Sequence, residues 1–195
     1  FVLLFRGQCG DWRNRSGNTS LRPTILRAED SKKVPSETKL RTRYQTLSAA
    51  EQALVATYRT GSTPGATRLR RQQVLRWSIL QHYEVCPTPL LDVTHSLRIA
   101  ASFASHGAGK EAFIFVLGVP NLSGAVTASA ESGLQIVRLS SVCPPSALRP
   151  HFQEGYLLGE YPDLGSLVQK QHYKNYEVDF GRLLIEKFRF EPRSF

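Results

Sequence analysis

One stretch of the chain is apolar enough to be buried yet carries polar residues at its junctions, and it limits the possible folds more than any other. Residues 80–104 run LQHYEVCPTPLLDVTHSLRIAASFA. The pattern predicts a helix end, a stop at the two prolines, a short strand at 90–94 and a second helix through about residue 105. Buried polar groups need partners or a ligand. The polar residues in question are Gln81, His82, Asp92, Thr94, His95 and Ser96.

The remaining apolar patterns predict an α+β fold with its helices gathered in the N-terminal half. Runs of apolar residues predict strands at 1–5, 112–119, 134–139 and 153–158. Helices are expected at 48–60, where Ser48 and Glu51 form a capping box, and at 67–83. The tail predicts a short helix at 164–173, and then a strand pair or a closing helix at 176–190. Strands that follow one another after early helices favour α+β over a doubly wound sheet.

The positive charge lies in the first part of the chain. Residues 1–80 carry fifteen Lys and Arg against five acids, whereas residues 81–195 carry ten against eleven. We predict one domain with a basic, mobile insert at about 13–46. Such a tract suits a phosphate backbone, although a solvated loop without a partner is equally compatible with it. The candidate nucleic-acid contacts are Arg13, Arg15, Arg41 and Arg43.

Several function classes lack their sequence signals. The three cysteines have no CxxC spacing, so neither a disulfide framework nor a metal site is predicted, and a reducing, cytoplasmic setting is expected. No apolar run approaches the roughly 18 residues of a membrane span. The chain begins at Phe1 and contains no Met, so we expect it to be a fragment. No P-loop, GxGxxG, HExxH or GxSxG motif is present.

Three residues keep two interpretations each at this stage. Arg6 follows a strand and is either an anion clamp or a structural arginine paired with an acid. His82 is either a ligand contact or a helix-end histidine that bonds the last carbonyls. Asp92, inside an apolar strand, is as compatible with a structural pair as with catalysis.

Three separated motifs resemble the FRG domain family. The first is Phe5-Arg6-Gly7-Gln8, followed by Leu21, Pro23 and Arg27. The second is Gln81-His82-Tyr83 with the run PTPLLDVT at 87–94, then Ala100 and the Phe103-Ala104 pair. The third leads from Arg149-Pro150 to Gln153-Glu154-Gly155-Tyr156. The chain departs from the family where Val93 replaces a usual Trp and Pro89 a frequent Arg or Ser, which bears on the shape of the pocket.

The order of these motifs is similar to that of a mono-ADP-ribosyltransferase core with a split sheet. The resemblance implies that NAD is a substrate, that no metal is needed, and that Arg6, Gly7, Gln8, His82, Thr94 and Ser96 bind it. It also implies that Glu154 or Gln153 binds the ribose 2′-hydroxyl and stabilises the charge that develops as nicotinamide leaves. Which of these two residues is the catalyst stays open.

The expected function is therefore NAD-dependent ADP-ribosylation of a macromolecule, with nucleic acid preferred, in a toxin or anti-phage defence setting. One rival is a non-catalytic module that binds a nucleotide or nucleic acid in the same cleft. Another is a plain interaction domain of a longer chain. No membrane partner is expected, and the oligomeric state is left open.

Overall fold

A computed structural model describes residues 1–30, 32–143, 147–162, 167–170 and 179–192. The seven strands form one sheet: β1 Val2–Gln8, β2 Leu91–Thr94, β3 Ala112–Val119, β4 Val126–Ser129, β5 Leu134–Arg138, β6 Gly155–Glu160 and β7 Leu184–Phe190. Their spatial order is β4-β5-β6-β2-β1-β3-β7, and every pair is antiparallel. The helices are α1 Glu37–Thr60, α2 Ala66–Arg71, α3 Gln73–His82, α4 Leu97–Ser105, α5 Leu139–Val142, α6 Leu148–Phe152 and α7 Leu167–Lys170. The predicted α+β class is confirmed, while the likeness to an ADP-ribosyltransferase sheet stays a prediction.

The sheet is divided at its centre. β1 and β2 share a single residue pair, Phe5 with Thr94, whereas β1 and β3 share seven. We call β1, β3 and β7 the first half-sheet and β2, β4, β5 and β6 the second half-sheet. A notch therefore opens between two well-paired half-sheets.

Helices cover one face of the sheet. α1 and α3 pack on Val137 and Leu157 of the second half-sheet. α4 packs its alanines on Phe5 and Ile114 of the first half-sheet. The opposite face is closed by Leu21 and by Phe180, which belongs to a 3₁₀ turn at Phe180–Leu183. Because successive strand residues alternate between faces, neighbours such as Leu157 and Leu158 join different cores.

Most predicted strands and the helix at the centre of the chain are confirmed. β3 begins and ends where the apolar run predicts, and β2 begins one residue later than expected. Ser96 caps α4, and its hydroxyl accepts a hydrogen bond from the Ile99 N–H at 3.4 Å. β4 was not predicted, because Val126 to Ser129 contains too few apolar residues to stand out.

The predicted helix at 48–60 is wrong at its start. α1 begins at Glu37, and Ser36 caps it by accepting from the Lys39 N–H. Glu51 is accordingly no capping residue but lies buried in the middle of the helix. The predicted basic insert thus includes the first turns of α1, and it also contributes Ile25 to the core.

The predicted helix at 67–83 is two helices, α2 and α3, separated by Gln72 in extended geometry (φ −112°, ψ 104°). Leu69 and Val74 both bury their side chains. In one continuous helix they would point about 140° apart, since each residue turns about 100°. The break at Gln72 lets both face the core.

The end of the chain is described only in part. Residues 184–190, within the predicted 176–190 segment, form strand β7. Of the predicted helix at 164–173, the described residues form α7, and the others lie outside the described ranges.

Candidate functional site

A cavity of about 350 Å³ lies where β1 and β2 diverge. Its walls come from β1, β2 and β6, from the end of α3 and from the turn before β6. A volume of this size is at the lower end of the range for small-molecule sites, which is about 300–1,000 Å³. The lining residues used below are Arg6, Gly7, Gln81, His82, Glu84, Asp92, Phe103, Arg149, Gln153 and Tyr156.

Arg6 bridges the notch between the half-sheets. Its Nη1 donates to the backbone carbonyl of Asp92 at 2.5 Å, so a side chain of β1 bonds the backbone of β2. Its Nε and Nη2 donate to the side-chain oxygen of Gln8 at 2.8 and 3.2 Å, with the Gln8 amide oriented so that its oxygen faces the guanidinium. A guanidinium has five N–H groups, so two remain for a ligand.

The electrostatic surroundings of Arg6 favour an anion. Burial, together with the nearby positive charge of Arg27, lowers the pKa of Arg6 to about 10, while the carboxylate of Asp92 acts in the opposite direction. At neutral pH the group still carries its charge. A bound anion would therefore be stabilised by two guanidinium groups rather than one.

Asp92 presents its carboxylate to the cavity as the end of a hydrogen-bond chain. Its Oδ2 accepts from Gln81 Nε2 at 2.6 Å, and Gln81 Oε1 accepts from the hydroxyl of the buried Thr88 at 2.6 Å. The Thr88 hydroxyl also accepts from the Leu90 N–H. In the described part of the chain Oδ1 has no hydrogen bond. The carboxylate is thus fixed in position and retains a free oxygen.

His82 is the last residue of α3 and is buried beside the cavity. Its ring packs edge to face on Tyr83. Among the described residues no hydrogen bond engages its imidazole, so of the two interpretations the bond to its own helix carbonyls is not seen. Burial and the nearby Arg149 lower the pKa of His82, although Asp92 and Glu84 oppose this. The ring is therefore neutral at pH 7 and can donate or accept one hydrogen bond.

The hydroxyl groups of Thr94 and Ser96 form hydrogen bonds within the protein. Thr94 Oγ1 donates to the carbonyl of Gln153 at 2.8 Å and accepts from the Ser96 N–H at 3.0 Å. Thr94 lines the cavity, whereas Ser96 lies outside its walls and caps α4. Thr94 therefore joins β2 to the chain before β6, and Ser96 fixes the start of α4.

Gly7 lets α4 approach β1 closely. A Cβ on Gly7 would lie 1.8 Å from the carbonyl oxygen of Ala100 and 2.7 Å from the nitrogen of Ala104. The space next to Gly7 is thus occupied by a helix backbone. Gly7 also borders the cavity, and Gln8 acts behind it by holding Arg6.

The structure separates the two candidate catalysts. The predicted strand at 153–158 is wrong at its start, because Gln153 is the C-cap of α6 and β6 begins at Gly155. Glu154 lies between them with φ +45°, and its carbonyl accepts from the His95 N–H. This left-handed residue breaks the strand alternation. Gln153 lines the cavity, whereas the exposed Glu154 does not.

The four predicted nucleic-acid contacts do not form one surface of free cations. Arg13 pairs with Asp11 and Arg41 with Glu37, at 3.1 and 2.8 Å. Arg43 donates to the carbonyls of Ile25 and Arg27 at 2.7 and 2.8 Å. Arg15 is exposed, and the described residues offer it no partner.

Some cavity residues were not predicted to belong to the site. Glu84 and Arg149 form an ion pair of 3.3 Å, and Tyr156 packs against Arg138 with 5.6 Å from the guanidinium carbon to the ring centre. Arg149 and Tyr156 lie in the third sequence motif, which was the available signal. In the described ranges no group of three or more His, Cys, Asp or Glu could hold a metal ion, and none of the helices is long and apolar enough to cross a membrane.

Comparison with known proteins gave one match. The sequence model described as FRG domain matches residues 2–112, which is more than half of the chain. No curated protein and no solved structure matches the chain.

Proposed function

The chain belongs to the FRG domain family, and from that premise we propose that it is an NAD-dependent mono-ADP-ribosyltransferase whose acceptor is a macromolecule, with nucleic acid preferred over protein. NAD is its substrate and would bind in the cavity between the half-sheets. The setting that fits such an activity is a toxin or an anti-phage defence effector in the cytoplasm, where NAD and nucleic acids are both present.

The observation that carries the proposal is the convergence of distant motifs on one cavity. Arg6, His82 and Gln153 belong to three motifs spread along the chain, and all three line the notch between β1 and β2. A core with only structural duties has no need of a neutral, unbonded histidine beside a charged arginine in an open cavity.

The electrostatics of the cavity fit a dinucleotide. Arg6, with two free N–H groups and Arg27 nearby, suits a phosphate group, because a guanidinium fork matches phosphate oxygens. The neutral His82 and the amide of Gln153 can bond ribose hydroxyls without adding charge. This polarity would place the phosphates toward Arg6.

The reaction needs stabilisation of positive charge. The bond between the ribose C1′ and the nicotinamide nitrogen breaks, and nicotinamide leaves with the bonding electrons as a neutral molecule. The remaining ribosyl group carries a developing positive charge until a nucleophile of the acceptor bonds to C1′ and loses a proton. A fixed carboxylate beside C1′ would lower the energy of that state.

Asp92 is a better candidate for this carboxylate than Glu154. Asp92 faces the cavity and is held by Gln81, whereas Glu154 does not line it. Glu84 also lines the cavity but is paired with Arg149. We therefore assign charge stabilisation to Asp92 and ribose binding to Gln153.

The test combines turnover with matched variants. The chain is incubated with labelled NAD and with RNA, DNA or protein, and both nicotinamide release and label transfer are measured. Asp92→Asn and Gln153→Ala should each abolish most turnover, while Glu154→Gln should retain it. Glu131→Gln, in the exposed turn before β5, is the control. Full activity of Asp92→Asn would remove the assigned role, and no release or transfer with any acceptor would contradict the enzyme itself.

A binding module without catalysis is the second candidate. The observation in its favour is that the hydroxyl groups of Thr94 and Ser96, which were expected to bind NAD, form hydrogen bonds within the protein instead. This candidate predicts that NAD raises the melting temperature with no nicotinamide release, since any ligand of the native state stabilises it.

A further inference from the structure

Four arginines on α2 and in the last turn of α1 form a charged surface that the described residues do not neutralise. Arg59 is in the last turn of α1, and Arg68, Arg70 and Arg71 are on α2. All four are exposed, and in the described part of the chain none makes a side-chain hydrogen bond or an ion pair. We call these four residues the α2 arginine surface.

The sequence around the α2 arginine surface supplies no acid to neutralise it. Between Glu51 and Glu84 there are five arginines and no Asp or Glu. Glu51 is already occupied, because it accepts from Arg76, Trp77 and Gln73. A positive potential therefore remains on this surface.

A groove makes the α2 arginine surface more than a set of separate charges. A groove of about 400 Å³ lies between α1, α2 and α3, with Arg59 and Arg70 on its walls. The paired residues Glu51 and Arg76 also line the groove, so Arg59 and Arg70 supply its unpaired charge among the described residues. Guanidinium groups on a groove wall are suited to follow a chain of phosphates.

Exposed aromatic residues surround the cavity. Tyr83 follows the cavity residue His82 and is 63% exposed. Phe152 precedes Gln153 and is 73% exposed. Phe103 lines the cavity and is 48% exposed. Aromatic rings that remain open to solvent are surfaces on which unpaired bases stack.

α3 connects the two features. It begins at Gln73, directly after α2, and ends at His82 in the cavity wall. Its ten residues span about 15 Å, since an α-helix rises about 1.5 Å per residue. The separation between the α2 arginine surface and the cavity is thus about the length of α3, a distance that a strand of a few nucleotides can span.

We propose that single-stranded nucleic acid binds along this side of the molecule, with its phosphates on the α2 arginine surface and its bases on Tyr83 and Phe152. Base stacking selects a single strand over a duplex, whose bases are already stacked on one another. This inference names the acceptor of the proposed reaction and so rests on the proposed function, but the binding is measured without NAD.

The test is fluorescence anisotropy with a labelled strand of about 12 nucleotides and with the matching duplex. Titrations between about 50 and 200 mM salt give the slope of log affinity against log salt. The variant Arg68→Ala/Arg70→Ala/Arg71→Ala removes three contacts and should reduce the slope by about 2, since each contact to a single strand contributes about 0.7. Arg98→Ala, which is also exposed and has no partner among the described residues, is the control that should leave the slope unchanged.

The stacking part is tested separately. Tyr83→Ala and Phe152→Ala should each weaken binding of the single strand about fivefold or more at constant salt slope, because stacking on one aromatic ring contributes about 1–3 kcal/mol. Phe188→Ala, on β7 and also exposed, is the matched control.

Three results would overturn the inference: an unchanged salt slope in the triple variant, a duplex that binds as tightly as the strand, or tighter binding to vesicles that contain phosphatidylserine. Loss of ADP-ribosylation in Asp92→Asn leaves the anisotropy unaffected, so failure of the enzyme proposal and failure of this one are distinguishable.

Discussion

Glu51 joins α1 to α3, and its removal should destabilise the protein strongly. Its carboxylate accepts from Trp77 Nε1 at 2.6 Å and from Arg76 Nε at 2.7 Å. Trp77 is fully buried, and the Glu51 and Arg76 side chains are only 11% and 15% exposed. Glu51→Ala would leave a buried indole N–H and a nearly buried guanidinium without their acceptor.

The loss of stability in Glu51→Ala depends on the hydrogen bonds that Arg76 keeps. Removing one partner of a buried ion pair costs about 3–5 kcal/mol. Arg76 Nη1 keeps its bonds to the carbonyls of Leu69 and Arg70, both at 2.9 Å, so the cost belongs at the lower end. We expect Glu51→Ala to lower the free energy of unfolding by about 3 kcal/mol. Glu51→Gln keeps an acceptor for Trp77 and should cost about 1–2 kcal/mol.

Urea unfolding followed by tryptophan fluorescence measures this difference, because Trp77 is buried whereas Trp12 is largely exposed. Glu37→Ala is the control: its ion pair with Arg41 is on the surface, and surface pairs of this kind contribute less than about 1 kcal/mol. Equal losses in Glu51→Ala and Glu51→Gln, or a loss in Glu51→Ala no larger than in the control, would refute the role of this network.

Three further changes test other parts of the structure. Gly7→Ala forces α4 away from β1 and should cost about 3 kcal/mol in urea unfolding, the upper end for overpacking; a loss below about 1 kcal/mol would show that α4 can move freely. Burial lowers the pKa of His82 below its usual 6.5, so the unfolded chain binds the proton more tightly than the folded protein does. The free energy of unfolding should therefore fall as the pH drops below 6.5, and it should fall less for His82→Asn in the same pH series. Asp179 accepts from Ser20 Oγ and the Leu21 N–H at 2.6 and 2.7 Å, so Asp179→Ala should lower stability by about 3 kcal/mol in thermal unfolding, whereas an unchanged melting temperature would contradict this.

The sequence predicted elements whose signals are local. The pattern after the strand at 90–94 predicted the helix that ends at Ser105, and the apolar run of β3 predicted both ends of that strand. Such features depend on neighbouring residues only. The same holds for the break after His82, where two prolines follow.

The wrong predictions concern residues whose conformation depends on partners far away in the sequence. Ser48 and Glu51 have the spacing of a capping box. The Glu51 carboxylate is nevertheless buried, because it accepts hydrogen bonds from Trp77 and Arg76, twenty-six and twenty-five residues away. Likewise the alternation expected at Gln153 and Glu154 is broken by a left-handed residue that the sequence does not mark with glycine. The spacing of neighbouring residues in the sequence does not reveal a contact with a residue that only the folded structure brings close.

The sequence motifs predicted which residues meet at the candidate site, but not which of their side chains face the cavity. Arg6, His82 and Gln153 were assigned to one cleft, and all three line the cavity. That Asp92 faces it and Glu154 does not follows from the register of β2 with β6 and from the turn before β6, which no spacing rule gives.

The single residue pair between β1 and β2 bears on how the protein moves. A ladder of seven pairs holds β1 to β3, but one pair and the Arg6 bond hold the half-sheets together at the notch. We therefore expect the pairing at the notch to open more readily than the ladders inside either half-sheet, while the core that contains both Leu4 and Val93 keeps the half-sheets packed together. A ligand that touches both Arg6 and Gln153 would join the half-sheets across the notch. Its binding should slow amide exchange in both half-sheets together, although it contacts only a few residues of each.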